Sequence, residues 1–160
     1  VARIGITGHS NLTAAAVPLV RQGIAAALAP YAGGGLVGVS CLARGADQLF
    51  AEVVLEIGGT LEVVLPSADY REAKVAPEDL ERFDGLLVRS ALVRYMPHRT
   101  AGRQAYADAN SAVLDGVDRL VAVWDGGPSG GRGGTADAVG AARGRGVPVD
   151  VVWPDGAARG

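Results

Sequence analysis

Short runs of Val, Ile and Leu recur along the chain, each followed by a longer stretch with helical spacing. RIGITG, residues 3–8, is the first predicted strand. A helix is predicted over 13–29, with Leu19, Ala26 and Ala27 as candidates for its buried face. Pro18 lacks the N–H that would bond the Ala14 carbonyl, so an irregular first turn or a start near Val17 is expected. LVGVS (36–40) is the second strand, and the helix over 46–57 places Leu49, Val53 and Ile57 on one stripe. LEVVLP (61–66), ALVRYM (91–96), RLVAVW (119–124) and VDVVW (149–153) are further strands. Helices are predicted over 78–89 after Pro77, over 100–114 and over 135–143. The charge inside ALVRYM marks it as less central than the others.

Strands this apolar are buried on both faces. Their alternation with helices predicts a Rossmann-like α/β three-layer sandwich with a mostly parallel sheet. The 160 residues fit one domain, over 1–154, with 155–160 as a short tail expected to fray. In such a sheet, ligands bind outside the carboxyl ends of the strands. Three predicted strand ends carry unusual residues: TGHSNLT (7–13), SCLARGAD (40–47) and WDGGPSGGRGGTAD (124–137).

The third segment points to chemistry. Gly131, Gly133 and Gly134 allow backbone N–H groups to approach an anion, with Asp125 and Gly126 at the strand end. Thr135 is expected to cap the following helix and to offer its hydroxyl to the ligand. Asp137 is placed to receive a ligand hydroxyl, such as one from ribose. In the second segment Gly45 permits close backbone approach, Ser40 ends the strand, Arg44 is positioned to reach across the cleft, and Asp47 is expected either to support the helix N-terminus or to contact the ligand. In the first, His9 follows Gly8 and has a charge state adjustable near neutral pH. Arg103 and Asn110 recur at helical spacing and are expected to face one cleft together.

Composition narrows the reading. Fifteen basic residues face 17 acidic ones, for a net charge of −2. Lys74 is the single lysine, so arginine supplies almost every cation. Nucleic acid is therefore expected to be an unlikely partner. Cys41 is the only cysteine, which excludes an internal disulfide, and it is expected in the core. His9 and His98 are the only histidines, so a histidine-rich metal site is excluded, and no cofactor is expected. No apolar run is long enough to span a membrane, and a cytoplasmic location is expected. The chain lacks GxxxxGK[ST], which excludes a Walker ATPase, and TGHSNLT lacks the GxGxxG run of a dinucleotide fold, with Ser40 rather than an acidic residue at the end of the second strand.

VSCLARGAD (39–47) resembles the Ser-Gly-x-Ala-x-Gly-Ile-Asp motif of DNA-processing protein A (Smf), matching it at Ser40, Ala43, Gly45 and Asp47. GRGGTAD (131–137) is similar to the Pro-Gly-Gly-x-Gly-Thr-x-x-Glu signature of the LONELY GUY, lysine-decarboxylase-like enzymes. The chain thus resembles the superfamily that joins these two groups, and within it the small bacterial nucleotide-binding proteins. The resemblance implies a phosphate site at Gly131, Gly133, Gly134 and Thr135, and a homodimer, for which apolar residues on the outer faces of the helices over 78–89 and 100–114 are the expected seam. It also implies nucleoside 5′-monophosphate phosphoribohydrolase chemistry, with Arg103 and Asp137 as its catalytic candidates. Position 138, where the family carries glutamate, is alanine, and Asp137 is one residue early, about 100° around the helix. The leading expectation is therefore binding of a nucleotide or phosphorylated nucleoside derivative as a sensor or carrier, with base cleavage as the alternative.

Overall fold

Six strands, β1 (Arg3–Gly8), β2 (Val37–Ser40), β3 (Thr60–Leu65), β4 (Leu92–Tyr95), β5 (Arg119–Val123) and β6 (Val149–Val152), form one sheet in the order β4-β3-β2-β1-β5-β6. The computed structural model describes residues 1–128 and 134–160. Every pairing in the sheet is parallel. The helices are α1 (Ala16–Leu28), α2 (Ala46–Glu56), α3 (Tyr70–Lys74), α4 (Leu80–Arg89), α5 (Arg103–Asp115) and α6 (Thr135–Gly144). The fold is a Rossmann-like α/β three-layer sandwich.

Side-chain alternation along each strand divides the core between two helical layers. Ile4, Ile6, Val121 and Val123 pack on α1 and α2 through Val20, Ile24, Leu49, Phe50 and Val53. Leu61, Val63 and Leu65 extend this layer to Phe83 and Leu86 of α4. On the opposite face Val39 and Val64 meet Ala109 and Val113 of α5, and Leu120 meets Ala142 of α6. Because β1 pairs with both β2 and β5, the strand order reverses beside it. A crevice outside the carboxyl ends of β1 and β5 is the consequence.

Two sequence expectations change. The buried stripe of α1 is Ala16, Val20, Ile24 and Leu28, whereas Ala26 is exposed. Of the expected set, Ala27 packs partly buried against this core, Leu19 is half-buried, and Ala26 faces outward. The helix starts at Ala16, where both the carbonyl and the hydroxyl of Thr13 accept from the Ala16 N–H. Pro18 then falls in the first turn, where its missing N–H costs nothing.

The expected fraying of 155–160 is the second change. Leu12 and Arg159 form an antiparallel bridge, Thr13 N–H donates to Ala158 O at 3.0 Å, and Asn11 Nδ2 donates to Gly160 O at 3.0 Å. Backbone pairing, which a polar Gly- and Ala-rich sequence does not announce, holds the segment against the loop after β1.

Candidate functional site

A cleft of about 290 Å3 opens at the carboxyl ends of β1, β2 and β5. Gly8, His9, Asn110, Gly134 and Thr135 line it, so the structure brings these five predicted residues together. Gly8 is also a close-packing point: a Cβ there would lie 2.5 Å from Ala46 Cβ.

Gly134 occupies the N-cap position of α6 in an extended conformation, φ −73° and ψ 174°, and Thr135 is the first helical residue. The capping role expected of Thr135 therefore passes to the Gly134 backbone, with no side-chain cap. The first N–H groups of a helix have no acceptor within it and carry its positive end, which suits an anion. Gly131 and Gly133 lie outside the described residues.

His9 is buried, 7% exposed, with its ring edge-on to Trp153 at 5.5 Å. Asp125 N–H donates to Nε2 at 3.0 Å, while Asp125 Oδ1 stands 3.2 Å from the same nitrogen. A nitrogen that accepts carries no proton. Burial and the Arg159 charge hold the His9 pKa below its ordinary value, which selects the neutral ring and the accepted hydrogen bond. His9 thus fixes the turn after β5. Asp125 is committed to that turn as well, accepting from Gly127 N–H at 2.9 Å, and Gly126 is the residue it spans. The Gly127 hydrogen bond is the main cause holding the Asp125 carboxyl below the usual range.

Other predicted residues lie elsewhere. Ser40 is fully buried; its hydroxyl donates to Asp47 O at 3.0 Å and accepts from Leu42 N–H at 3.1 Å. Gly45 has φ +85°, with His9 O 2.7 Å from where a Cβ would sit, so it seats the start of α2 against the first loop. Arg44 is turned away from this cleft toward Asp79 (2.6 Å) and Glu78 (3.2 Å). Arg103 is exposed at the start of α5 and does not line the cleft, although Asn110 from the same helix does. Asp137 lies on a separate depression between α5 and α6, with Ser111 and Arg145.

Tyr70, Tyr106 and Arg159 are among the lining residues not singled out as binding candidates, and Asp47 lines the cleft as well. Arg159 reaches the cleft through the docked tail, with Nε 3.0 Å from Asn11 Oδ1 and Nη1 3.4 Å from Asp125 Oδ2. Cys41 also lines the cleft and is half-buried rather than fully enclosed; burial, with the Asp47 charge adding, pushes its thiol up. Among the described residues no group of three or more His, Cys, Asp or Glu side chains is arranged to hold a metal. Nor is any described helix long and apolar enough to cross a membrane.

Asp47 is 8% exposed and accepts from Ala43 N–H at 3.3 Å. Burial raises its pKa from the ordinary 3.8 to about 7, against the opposing Ala43 hydrogen bond. Between those two values the folded chain holds a proton that the unfolded chain has lost. Stability therefore falls as pH rises through this window and levels off above it. Asp47→Asn removes the term while keeping an acceptor for Ala43. Denaturant titrations should show the variant gaining on the native chain between about pH 4 and pH 7, by about 4 kcal/mol at the top. A pH-independent difference would refute the buried-acid assignment.

No protein-family model matches the chain, and no curated protein matches it. Solved structures do. DNA processing protein A from Streptococcus pneumoniae superposes with a TM-score of 0.68 at 16% identity, over 94% of this chain and 50% of that one. The chain therefore spans about half the length of that protein. DNA processing protein A from Helicobacter pylori, described with a unique single-stranded DNA binding mode, superposes with a TM-score of 0.68 at 18% identity, covering 94% and 64%. The molybdenum cofactor binding protein of Rippkaea orientalis does so with a TM-score of 0.61 at 16% identity, covering 94% and 75%. At these identities the fold is what is shared.

The expectation that nucleic acid is an unlikely partner is overturned by these likenesses, two of which are to DNA-processing proteins. A net charge of −2 misleads because it sums over the whole surface, whereas binding depends on where individual cations sit.

Proposed function

We propose that the chain binds a nucleotide or a phosphorylated nucleoside derivative at the carboxyl edge of its sheet, as a sensor or carrier. One observation carries this reading: the α6 N-terminus at Gly134 and Thr135, the Arg159 guanidinium and the glycine-marked end of β1 converge on a single cleft. The helix end and the arginine both favour negative charge, and Asn110 adds an amide to the same wall. The fold shared with DNA-processing and molybdenum cofactor proteins supports placing the chain in the superfamily its motifs resemble. Base cleavage draws no comparable support, since its assigned pair, Arg103 and Asp137, does not line the cleft.

Calorimetric titration with ribose 5-phosphate, AMP, adenosine and a single-stranded oligonucleotide tests the reading. Both phosphorylated small molecules should bind at least roughly tenfold more tightly than adenosine. Equal binding of all three would remove the phosphate site. Tighter oligonucleotide binding that weakens steeply with salt would make a nucleic-acid strand the ligand.

A further inference from the structure

A second cleft, of about 410 Å3, adjoins the first. The two share Ser10, Ala43, Tyr70 and Tyr106 as a common wall. The second lies between the loop after β2 and the connection from α3 to α4, with Val75 and Ala76 on its far side. A ligand with its phosphate at α6 would thus continue across the sheet edge, past β1, toward β2 and β3.

Gln48 lines this second cleft and is 2% exposed. Its Nε2 donates to Leu42 O at 3.1 Å. This fixes the amide orientation, because a flip would press Oε1 against a carbonyl oxygen. Oε1 is then a buried acceptor without a partner among the described residues. Buried polar atoms left in this state are rare, and each calls for a donor. Leu42, which Gln48 holds, has φ +56°, a conformation uncommon for a residue with a side chain. Strain of this kind persists where surrounding contacts over-determine it, and it clusters at ligand clamps.

The charge lining the second cleft is mixed: Arg44 and Lys74 stand beside Asp79, and Arg44 is already paired with Asp79 and with Glu78 beyond it. A neutral, flat group with a hydrogen-bond donor suits it. Tyr106, half-buried at the shared wall and edge-on to Tyr70 at 6.4 Å, provides aromatic surface for it.

We propose that the second cleft is the base subsite of the nucleotide site, taking a nucleobase whose amino N–H reaches Gln48 Oε1 while its ring rests against Tyr106. This rests on the phosphate reading of the first cleft, and the test separates the two. Calorimetry compares ribose 5-phosphate, adenosine, AMP and purine riboside 5′-monophosphate, which lacks the amino group of AMP. The native chain and two variants are used: Gln48→Met, which removes the acceptor, and Ala76→Phe, which fills the cleft from a half-exposed position.

On the native chain AMP should bind about tenfold more tightly than both the purine analogue and ribose 5-phosphate. Gln48→Met should erase the preference for AMP over the purine analogue. Ala76→Phe should weaken AMP roughly tenfold and leave ribose 5-phosphate within about twofold. Equal affinity for all three phosphorylated ligands on the native chain would overturn the base subsite, as would equal losses for AMP and ribose 5-phosphate in Ala76→Phe. If ribose 5-phosphate fails to bind, the phosphate reading falls. Adenosine then decides: binding that Ala76→Phe abolishes upholds the base subsite, and binding it leaves intact, or no binding at all, overturns it.

Discussion

Gly134→Val should weaken binding of ribose 5-phosphate and of nucleoside monophosphates by at least about 100-fold, or roughly 3 kcal/mol. The variant should melt within about 2 °C of the native chain. The two halves of this result have separate causes. At φ −73° and ψ 174° Gly134 has an extended backbone that any residue adopts, so its conformation does not call for glycine. The site does, because a branched side chain at the N-cap of α6 stands between the first helical N–H groups and an arriving anion. Gly134→Ala should fall between the two. A folded valine variant with native affinity would show that the segment before α6 is only a connection.

The largest effect on stability is expected at Gly45. Gly45→Ala should lower the unfolding free energy by about 3–5 kcal/mol in urea titrations. Its backbone, at φ +85° and ψ −124°, is disfavoured for any residue with a Cβ. The added atom would also lie 2.7 Å from His9 O and 2.9 Å from Ser10 Cα, and these are main-chain atoms that cannot rotate aside. Gly58 separates the two contributions. It has φ +83° but no atom within 4 Å of a built Cβ, so Gly58→Ala should cost only about 1 kcal/mol. Equal losses at the two positions would mean that the contact between α2 and the loop after β1 is unimportant.

Strands β1, β2, β3 and β5 are readable as apolar runs because burial on both sheet faces leaves no room for polar alternation. β4 betrays its edge position through Arg94, and Leu92 and Tyr95 are indeed exposed there. Helix α3 was not readable: five residues, Tyr70–Lys74, are too few to establish a period. The site was legible as a set of loops rather than as a set of side chains. Parallel strands bring their ends to one edge whatever follows, so Gly8, Gly134 and Thr135 meet as the pattern implies. Side-chain direction depends on partners far away in sequence. Arg44 is drawn off by Asp79, 35 residues on, and the Ser40 hydroxyl by the Asp47 carbonyl. Arg103 and Asn110 are seven residues apart, close to two turns, yet only Asn110 lines the cleft, because Arg103 sits at the exposed first turn. Arg159 carried no signal, since its place depends on the backbone bridge to Leu12.

That bridge has a consequence for how the molecule is made. During synthesis β1 emerges first, and β2, β3 and β4 can add to one of its edges in turn. Its other edge waits for β5, more than a hundred residues later. The loop from Ser10 to Thr13 waits longer still, because the backbone groups that pin it belong to residues 158–160. Contacts of such sequence separation form late and slowly. A nascent chain stopped before β5 would carry four of the six strands with β1 open along one edge, and one stopped before residue 158 would have its strands in place but one wall of the cleft unfastened. The wall of the cleft that the Ser10–Thr13 loop forms is thus fastened only once residues 158–160 have emerged, after all six strands.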